Sequence, residues 1–310
     1  MSKTVLLATE KPFSAAARDE VRGIIEQAGY TARVLESYKG QAPLIEAIAD
    51  VDAAIVRSDI VDAEVLAAAK KLALVVRAGA GYDNIDTKAA KEKGIAVMNT
   101  PGQNANAVAE LAFGMMVYLA RGKFDGKTGT ELRGKTLGLH AFGAVGSAVA
   151  TIAKGFGMTV FAYDPFVKPE RFQQAGVEPV GSAEELYRRS QYVSLHVPAT
   201  AETKQSIGKK LLSALPKGGT VVNTARKEII HEAELLEVLG ERSDIRYISD
   251  IPPSDATLAT LKEKFDARVY VTPAKMGAQT QEANVNAGLA AARQIVGFFE
   301  RGEKQFVVNP

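Results

Sequence analysis

The 310-residue sequence has no cysteine, no tryptophan and only three histidines, His140, His196 and His231. Without cysteine there is no disulfide framework and no thiolate chemistry. The histidines are scattered through the chain, so no metal site is expected. A surplus of charge is also missing: 38 basic against 36 acidic side chains leave a formal net charge of +2. That balance gives no case for a nucleic-acid or membrane partner. No apolar run is long enough to span a bilayer and no secretory leader is recognisable, which makes the cytoplasm the expected location. What is present is a hydrophobic share of 46%, sufficient for well-filled cores, in a length that suits one large or two medium domains.

Along the first hundred residues, short β-rich runs alternate with stretches of helical spacing. Strands are expected at 3–9, 31–35, 53–57, 72–76 and 95–98, and helices at 13–28, 43–49, 62–69 and 84–93. Asn99-Thr100-Pro101-Gly102 reads as a break. The helix expected at 105–120 is apolar on most sides and should be buried, while 121–133 is polar and glycine-rich, a surface loop or arm. Further strands are expected at 192–197, 220–223, 246–249 and 269–272, with helices at 184–189, 207–215 and 232–241 and a closing alanine-rich helix at 281–299. Repeated βα units imply parallel sheets covered on both faces. The count fits an α/β protein with two doubly wound parallel-sheet domains, 1–99 and 100–285, with 286–310 returning to the first.

The stretch at 135–164, KTLGLHAFGAVGSAVATIAKGFGMTVFAYD, organises the second half. A strand at 136–142, a turn, a helix at 144–156 and a strand at 159–163 ending at Asp164 form a βαβ unit with an acid at the tip of its second strand. In a dinucleotide site the turn lets backbone approach the pyrophosphate, the helix N-terminus favours its charge, and the acid accepts from the adenosine ribose. The G-x-G-x-x-G frame falls on Ala141 to Gly146, so its first glycine is alanine; the second and third are Gly143 and Gly146. Alanine fits this turn as long as its φ is negative. An acid at 164 favours NAD, because it repels a 2′-phosphate.

Chemistry in open α/β sheets gathers at the C-terminal ends of strands. Arg226 follows the 220–223 strand and can hold a carboxylate or carbonyl bidentately. Asp250 ends the 246–249 strand and Lys275 follows the last one. Arg57 and Arg77 end neighbouring strands of the first domain, and the small residues after Arg77 free backbone N–H groups for an anion-binding nest. Two arginines there suggest a multiply charged substrate. Taken singly, each of these residues is as readily explained by a turn, a cap or a solvated surface.

RAGAGYDNID, NTPGQNANAVAEL, YDPF, LHVPAT, NTARKEII and the TP-x-x-x-GA stretch occur in this order, and in this the chain resembles the D-isomer-specific 2-hydroxyacid dehydrogenases over nearly its whole length. The resemblance implies a Rossmann NAD-binding domain and a flavodoxin-like substrate domain, NAD as cofactor and a homodimer. It implies that Ala80 and Gly81 offer N–H groups to the substrate carboxylate, and that Arg226 is the catalytic arginine. It implies that Ala144 and Val145 contact the pyrophosphate and Asp164 the ribose, with Gly143 allowing the close phosphate approach and Gly146 the close helix–strand packing. By the same resemblance His196, Thr224, Ala225 and Asp250 line the cofactor, and Arg57 and Arg77 hold a substrate phosphate. The branch it resembles most is a short form without a regulatory domain that oxidises D-3-phosphoglycerate to 3-phosphohydroxypyruvate for serine synthesis.

Three departures stand out. The usual histidine after the last strand is absent, and a lysine-type subgroup implies that Lys275 takes its proton role. The partner glutamate is replaced by Asp255, with a shorter reach. The 121–133 segment is shorter than the family's dimer arm. Two other functions are weighed: reduction of glyoxylate, hydroxypyruvate or another unphosphorylated acid, which Arg57 argues against, and a non-enzymatic NAD-sensing corepressor, which Lys275 and Arg226 argue against.

Overall fold

The computed structural model describes residues 2–310 and divides into two compact units, one of residues up to Asn104 with Gln279–Pro310, the other of Ala105–Ala278. In the first unit, strands β1 (Thr4–Thr9), β2 (Thr31–Glu36), β3 (Ala53–Val56), β4 (Leu74–Arg77) and β5 (Ala96–Asn99) alternate with helices α1 (Ala15–Gln27), α2 (Ala42–Ile48), α3 (Ala63–Ala68) and α4 (Thr87–Glu92). Residues 105–278 contribute α5 (Ala105–Ala120), β6 (Thr136–His140), α6 (Ala144–Gly155), β7 (Thr159–Tyr163), α7 (Pro169–Gln174), β8 (Glu178–Pro179), α8 (Ala183–Arg189) and β9 (Tyr192–Leu195). They continue with α9 (Lys209–Ser213), β10 (Thr220–Asn223), α10 (Glu232–Glu241), β11 (Arg246–Ser249), α11 (Asp255–Phe265) and β12 (Val269–Val271). The closing helix α12 (Gln281–Arg301) packs on α1 in the first unit.

Both sheets are parallel throughout, as the repeated βα pattern requires. Because side chains alternate along a strand, each sheet feeds two cores. In the first unit Val5, Leu7, Ile55 and Val76 pack with α1 and α12, while Leu6, Ala8, Val56 and Val75 pack with α2 and α3 on the other face. In the second, Leu137, Leu139 and Val222 meet α5 and α6, while Val193, Leu195 and Val221 meet α8 and α10. Nine residues of α5 are buried, and Ala109, Ala112, Phe113, Met115, Met116, Leu119 and Ala120 belong to the core of its own unit.

The helix ends follow side-chain chemistry. Ser14, Asp62, Asp86, Ser182, Ser254 and Thr280 each accept a backbone N–H of the first turn, which is why α4 starts at Thr87 rather than at 84. Two helices were not anticipated. Pro169–Gln174 is a single short turn and a half, and Asp255–Phe265 lies behind Pro252 and Pro253, which mark a turn. The Ser254 cap and the apolar spacing of Leu258 and Leu261 were the available signals for the latter.

The strand orders are β2-β1-β3-β4-β5 and β12-β11-β10-β9-β6-β7-β8. The order reverses between β1 and β3 in the first sheet and between β6 and β9 in the second. Doubly wound sheets bind ligands outside the C-terminal strand ends at such a reversal, so the loops after β1, β3, β6 and β9 are where to look.

Candidate active site

At the reversal of the larger sheet, β6 ends in His140 and the chain turns through Ala141, Phe142 and Gly143 into α6. Ala141 has φ +77°, so the expectation of a negative φ is corrected. The turn adopts the left-handed conformation although an alanine occupies it, at a cost of about 1–2 kcal/mol. Tertiary contacts impose it: the Ala141 N–H donates to the Tyr163 carbonyl at 2.9 Å, the Phe142 N–H donates to Asp164 Oδ2 at 2.8 Å, and the alanine side chain packs on the core beneath. Asp164 Oδ1 also accepts from the Phe166 N–H at 3.0 Å. The acid at the tip of β7 therefore ties the turn to its own loop.

These residues fit a dinucleotide. Gly143, the N-cap of α6, makes no side-chain capping bond, and a Cβ built on it would meet open space. The first backbone bond of the helix is Ser147 N–H to Gly143 C=O at 3.0 Å, so the N–H groups of Ala144, Val145 and Gly146 lie in the first turn, where a helix binds anions. Gly146 must be glycine, because a Cβ would lie 2.6 Å from the Ala141 carbonyl oxygen. At the end of β10, the Thr224 hydroxyl is buried without a partner among the described residues, an orphan that a ligand can satisfy.

His140 and His196 lie side by side at this reversal, the His196 N–H donating to the His140 carbonyl at 2.9 Å. Burial lowers the His140 imidazole to about 4, opposed by the charge of Asp164. Burial also lowers His196 to about 3, aided by its neighbour His140. As a residue His196 is only partly covered, yet its Nε2 is sealed from solvent and unpartnered among the described residues. Burial likewise raises the pKa of Tyr187, whose hydroxyl sits 3.5 Å from His140 Nδ1. An imidazole that titrates near 6.5 when unfolded and lower when folded contributes stability above pH 6.5 that is lost on acidification. Between pH 7 and 5, where most carboxylates stay ionised, unfolding free energy should fall by on the order of 2 kcal/mol per histidine at most. Urea midpoints across that range test this. His140→Leu should flatten the slope, and an unchanged slope would show that His140 is not its source.

The loops after β10, β11 and β12 are held by buried polar side chains. Asn223, fully buried, accepts the Ala225 N–H at 3.0 Å and donates to the Arg226 carbonyl at 2.9 Å, which fixes the backbone that carries Arg226. The half-buried Arg226 donates from Nη1 to the Ala225 carbonyl at 2.9 Å. Asp250, 1% exposed, accepts the Met276 N–H at 3.0 Å and the Gly277 N–H at 2.8 Å, and the Thr272 hydroxyl lies 3.1 Å from its Oδ1. A Cβ on Gly277 would come within 2.8 Å of that carboxylate. Asp250 thus clamps both sides of Lys275, which is itself exposed. Asp255 is the exposed first residue of α11, next to the Ser254 cap. The acid engaged there is Glu232, which accepts from the Ser254 N–H at 3.0 Å and from the Thr257 hydroxyl at 2.6 Å. Asn223 and Thr272 went unnoticed in the sequence; their signal was a polar residue at or just past the last position of an apolar strand.

Residues 106–273 match the family described as "D-isomer specific 2-hydroxyacid dehydrogenase, NAD binding domain". The chain belongs to the D-isomer-specific 2-hydroxyacid dehydrogenases. It is 39% identical over 284 residues to the D-3-phosphoglycerate dehydrogenase of Methanocaldococcus jannaschii, covering 86% of this chain and 53% of that one. It is 40% identical over 272 residues to the hydroxypyruvate reductase of Thermotoga maritima, covering 81% and 86%. A crystal structure of NAD⁺-bound 3-phosphoglycerate dehydrogenase from Entamoeba histolytica superposes with a TM-score of 0.88 at 46% identity, covering 100% of this chain and 99% of that one. The chain thus spans about half the length of the first curated dehydrogenases it matches. As a member of the family with this NAD-binding unit, the chain should prefer NAD over NADP. Asp164→Ala should shrink that preference by roughly 10–100-fold in kcat/KM, the worth of a charged hydrogen bond. Equal use of both cofactors by the unaltered protein would sink the assignment.

The first unit carries its own constellation at the β1/β3 reversal. Arg57 donates from Nη1 to the carbonyls of Lys11 and Pro12, at 2.8 and 3.2 Å, and from Nη2 to Asn284 Oδ1 at 2.5 Å, with its guanidinium 5.0 Å from the centre of the Phe13 ring. Burial lowers its pKa, opposed by the charge of Asp59. Asp59 fixes the loop by accepting the Arg57 backbone N–H at 2.9 Å and the Tyr38 hydroxyl at 2.7 Å. Arg77 Nε donates to the Arg57 carbonyl at 3.0 Å. Its guanidinium lies over Gly79, where a Cβ would sit 1.3 Å from Arg77 Nη1 and where φ is +151°; only glycine satisfies both conditions. The carbonyls of Gly79 and Ala80 are taken by the Thr100 N–H and the Asn99 amide, which orients the strand-end loop that holds Ala80 and Gly81. The structure thus gathers the predicted Arg57, Arg77, Ala80 and Gly81 at adjacent strand ends of one sheet.

No helix among the described residues is long and apolar enough to cross a membrane, and no cluster of potential metal ligands is found among them.

Proposed function

We propose that this dehydrogenase oxidises D-3-phosphoglycerate to 3-phosphohydroxypyruvate with NAD. The observation that carries this reading is the pair Arg57 and Arg77 at adjacent strand ends, with the Arg57 guanidinium anchored only on neutral oxygens, a cationic site suited to a phosphate. Bound NAD supplies the hydride acceptor. By the family resemblance Arg226 is assigned to the substrate carboxylate and the developing carbonyl, and the N–H groups of Ala80 and Gly81 to the substrate carboxylate. The neutral amine of Lys275 takes the proton of the C2 hydroxyl as the C–H bond breaks and the C=O bond forms; in reduction, the ammonium returns it. Ala144 and Val145 face the pyrophosphate, and Thr224, Ala225, His196 and Asp250 support the cofactor. A homodimer in the cytoplasm fits this role.

The 86% span of a hydroxypyruvate reductase favours a second reading, an enzyme for an unphosphorylated acid. Arg57→Ala separates the two. It should lower kcat/KM for phosphoglycerate by roughly 10–100-fold, about 1.5–3 kcal/mol, and leave D-glycerate nearly unchanged. An equal loss on both substrates would assign Arg57 to another part of the ligand or to the scaffold.

A further inference from the structure

The anchoring of Arg57 raises a question that its position at the strand end does not answer: why none of its side-chain acceptors is a carboxylate. A guanidinium buried to this degree is usually satisfied by an acid, because unpaired charge is costly to desolvate. Here the acceptors are the carbonyls of Lys11 and Pro12 and the amide oxygen of Asn284. The nearby acid, Asp59, is occupied with three donors, the Glu10 N–H at 2.6 Å, the Tyr38 hydroxyl and the backbone N–H of Arg57 rather than its guanidinium.

Asn284 is well determined in this role. It lies in the first turn of α12, four residues after the Thr280 cap. Its Nδ2 donates to the Thr280 carbonyl at 2.9 Å and its Oδ1 accepts from Arg57. A carbonyl only accepts and a guanidinium only donates, so the amide has one consistent orientation. Two constraints meet at this residue. It must present an oxygen to the arginine, and it must keep a donor for the helix carbonyl. Aspartate would meet the first but not the second, and would cancel the arginine's charge.

We infer that Asn284 is a positioning residue that fixes the Arg57 guanidinium with a neutral acceptor, adding no negative charge to that of the nearby Asp59, and so sets the preference for phosphorylated over unphosphorylated 2-hydroxy acids. The guanidinium has five N–H donors and its acceptors, all neutral, occupy only part of that set, so it is held in place with donors available to an incoming phosphate. This rests on the proposed phosphate-binding role of Arg57.

The test compares kcat/KM for 3-phosphoglycerate and for D-glycerate in the full-length protein with NAD, across Asn284→Asp, Asn284→Gln, Asn284→Ala and Arg57→Ala, with thermal unfolding measured on each. Asn284→Asp should lose about ten- to a hundredfold of the preference for the phosphorylated substrate, through KM rather than kcat, while D-glycerate changes less than about threefold. Asn284→Gln, neutral and still an amide, should recover most of the preference. Asn284→Ala, which removes the anchor but adds no charge, should raise KM for 3-phosphoglycerate about three- to tenfold at unchanged kcat. If Asn284→Asp does not fold, the Ala and Gln variants decide alone: an unchanged KM in Asn284→Ala overturns the inference. Full preference in a folded Asn284→Asp, together with its loss in Arg57→Ala, overturns the role of Asn284 and leaves that of Arg57 standing. Full preference in Arg57→Ala removes the phosphate-binding reading itself.

Discussion

Lys275→Ala should lower kcat by roughly 10²–10⁴-fold, the usual cost of losing a general acid–base group, with NAD binding little changed. Removing a hydride from C2 leaves the hydroxyl proton without a home, so a base must stand beside it. Of the histidines, His231 caps α10, His140 ends the first strand of its sheet, and the sealed Nε2 of His196 is held neutral by burial. Lys275 is the titratable side chain in the loop after β12, and Asp250 holds that loop through the Thr272 hydroxyl before it and the Met276 and Gly277 N–H groups after it. Oxidation requires its neutral amine and reduction its ammonium, so oxidation should rise with pH into the alkaline range while reduction falls. Asp255→Ala should be far milder, since that residue is exposed in the first turn of α11. Near-normal turnover in Lys275→Ala would end the assignment and make His196 or a bound water the next candidate.

Arg226→Ala should lower kcat/KM by roughly 10²–10³-fold, the cost of removing a preorganised donor aimed at developing charge. Arg226→Lys should recover little, because an ammonium keeps the charge but not the planar fork that grips a carboxylate through two bonds. Rates with 3-phosphoglycerate, beside NAD affinity measured by titration, separate the two roles. A loss confined to NAD affinity would move Arg226 from the substrate to the cofactor. Because Asn223 holds the Arg226 carbonyl, Asn223→Ala should reproduce part of the loss through a displaced loop.

Most of the architecture was readable along the chain. Alternating apolar strands and capped helices gave the parallel sheets, and strands such as Thr159–Tyr163, Thr220–Asn223 and Arg246–Ser249 sit where their β-rich runs place them. Those signals are local: a short continuous apolar run buried on both faces, a serine or aspartate at a helix start, a glycine past its end. The family was equally legible, because Arg226, Asp164 and the glycine turn keep fixed spacing from strand ends. The helix behind Pro252 and Pro253 was not, since two prolines locally mark a turn whatever follows them.

What the sequence by itself determined is therefore the set of strands, the two parallel sheets, the family and the identity of the candidate groups, all of which depend on residues near one another along the chain. The tertiary structure alone decided how those groups are held. The φ of Ala141 is positive because Tyr163 and Asp164, some twenty residues on, grip the turn. Asp250 clamps the Lys275 loop from a neighbouring strand, and Asn284 meets Arg57 across 227 positions of sequence. Hydrogen bonds of that reach have no period or spacing to betray them; they exist only once the sheets have brought the strand ends together.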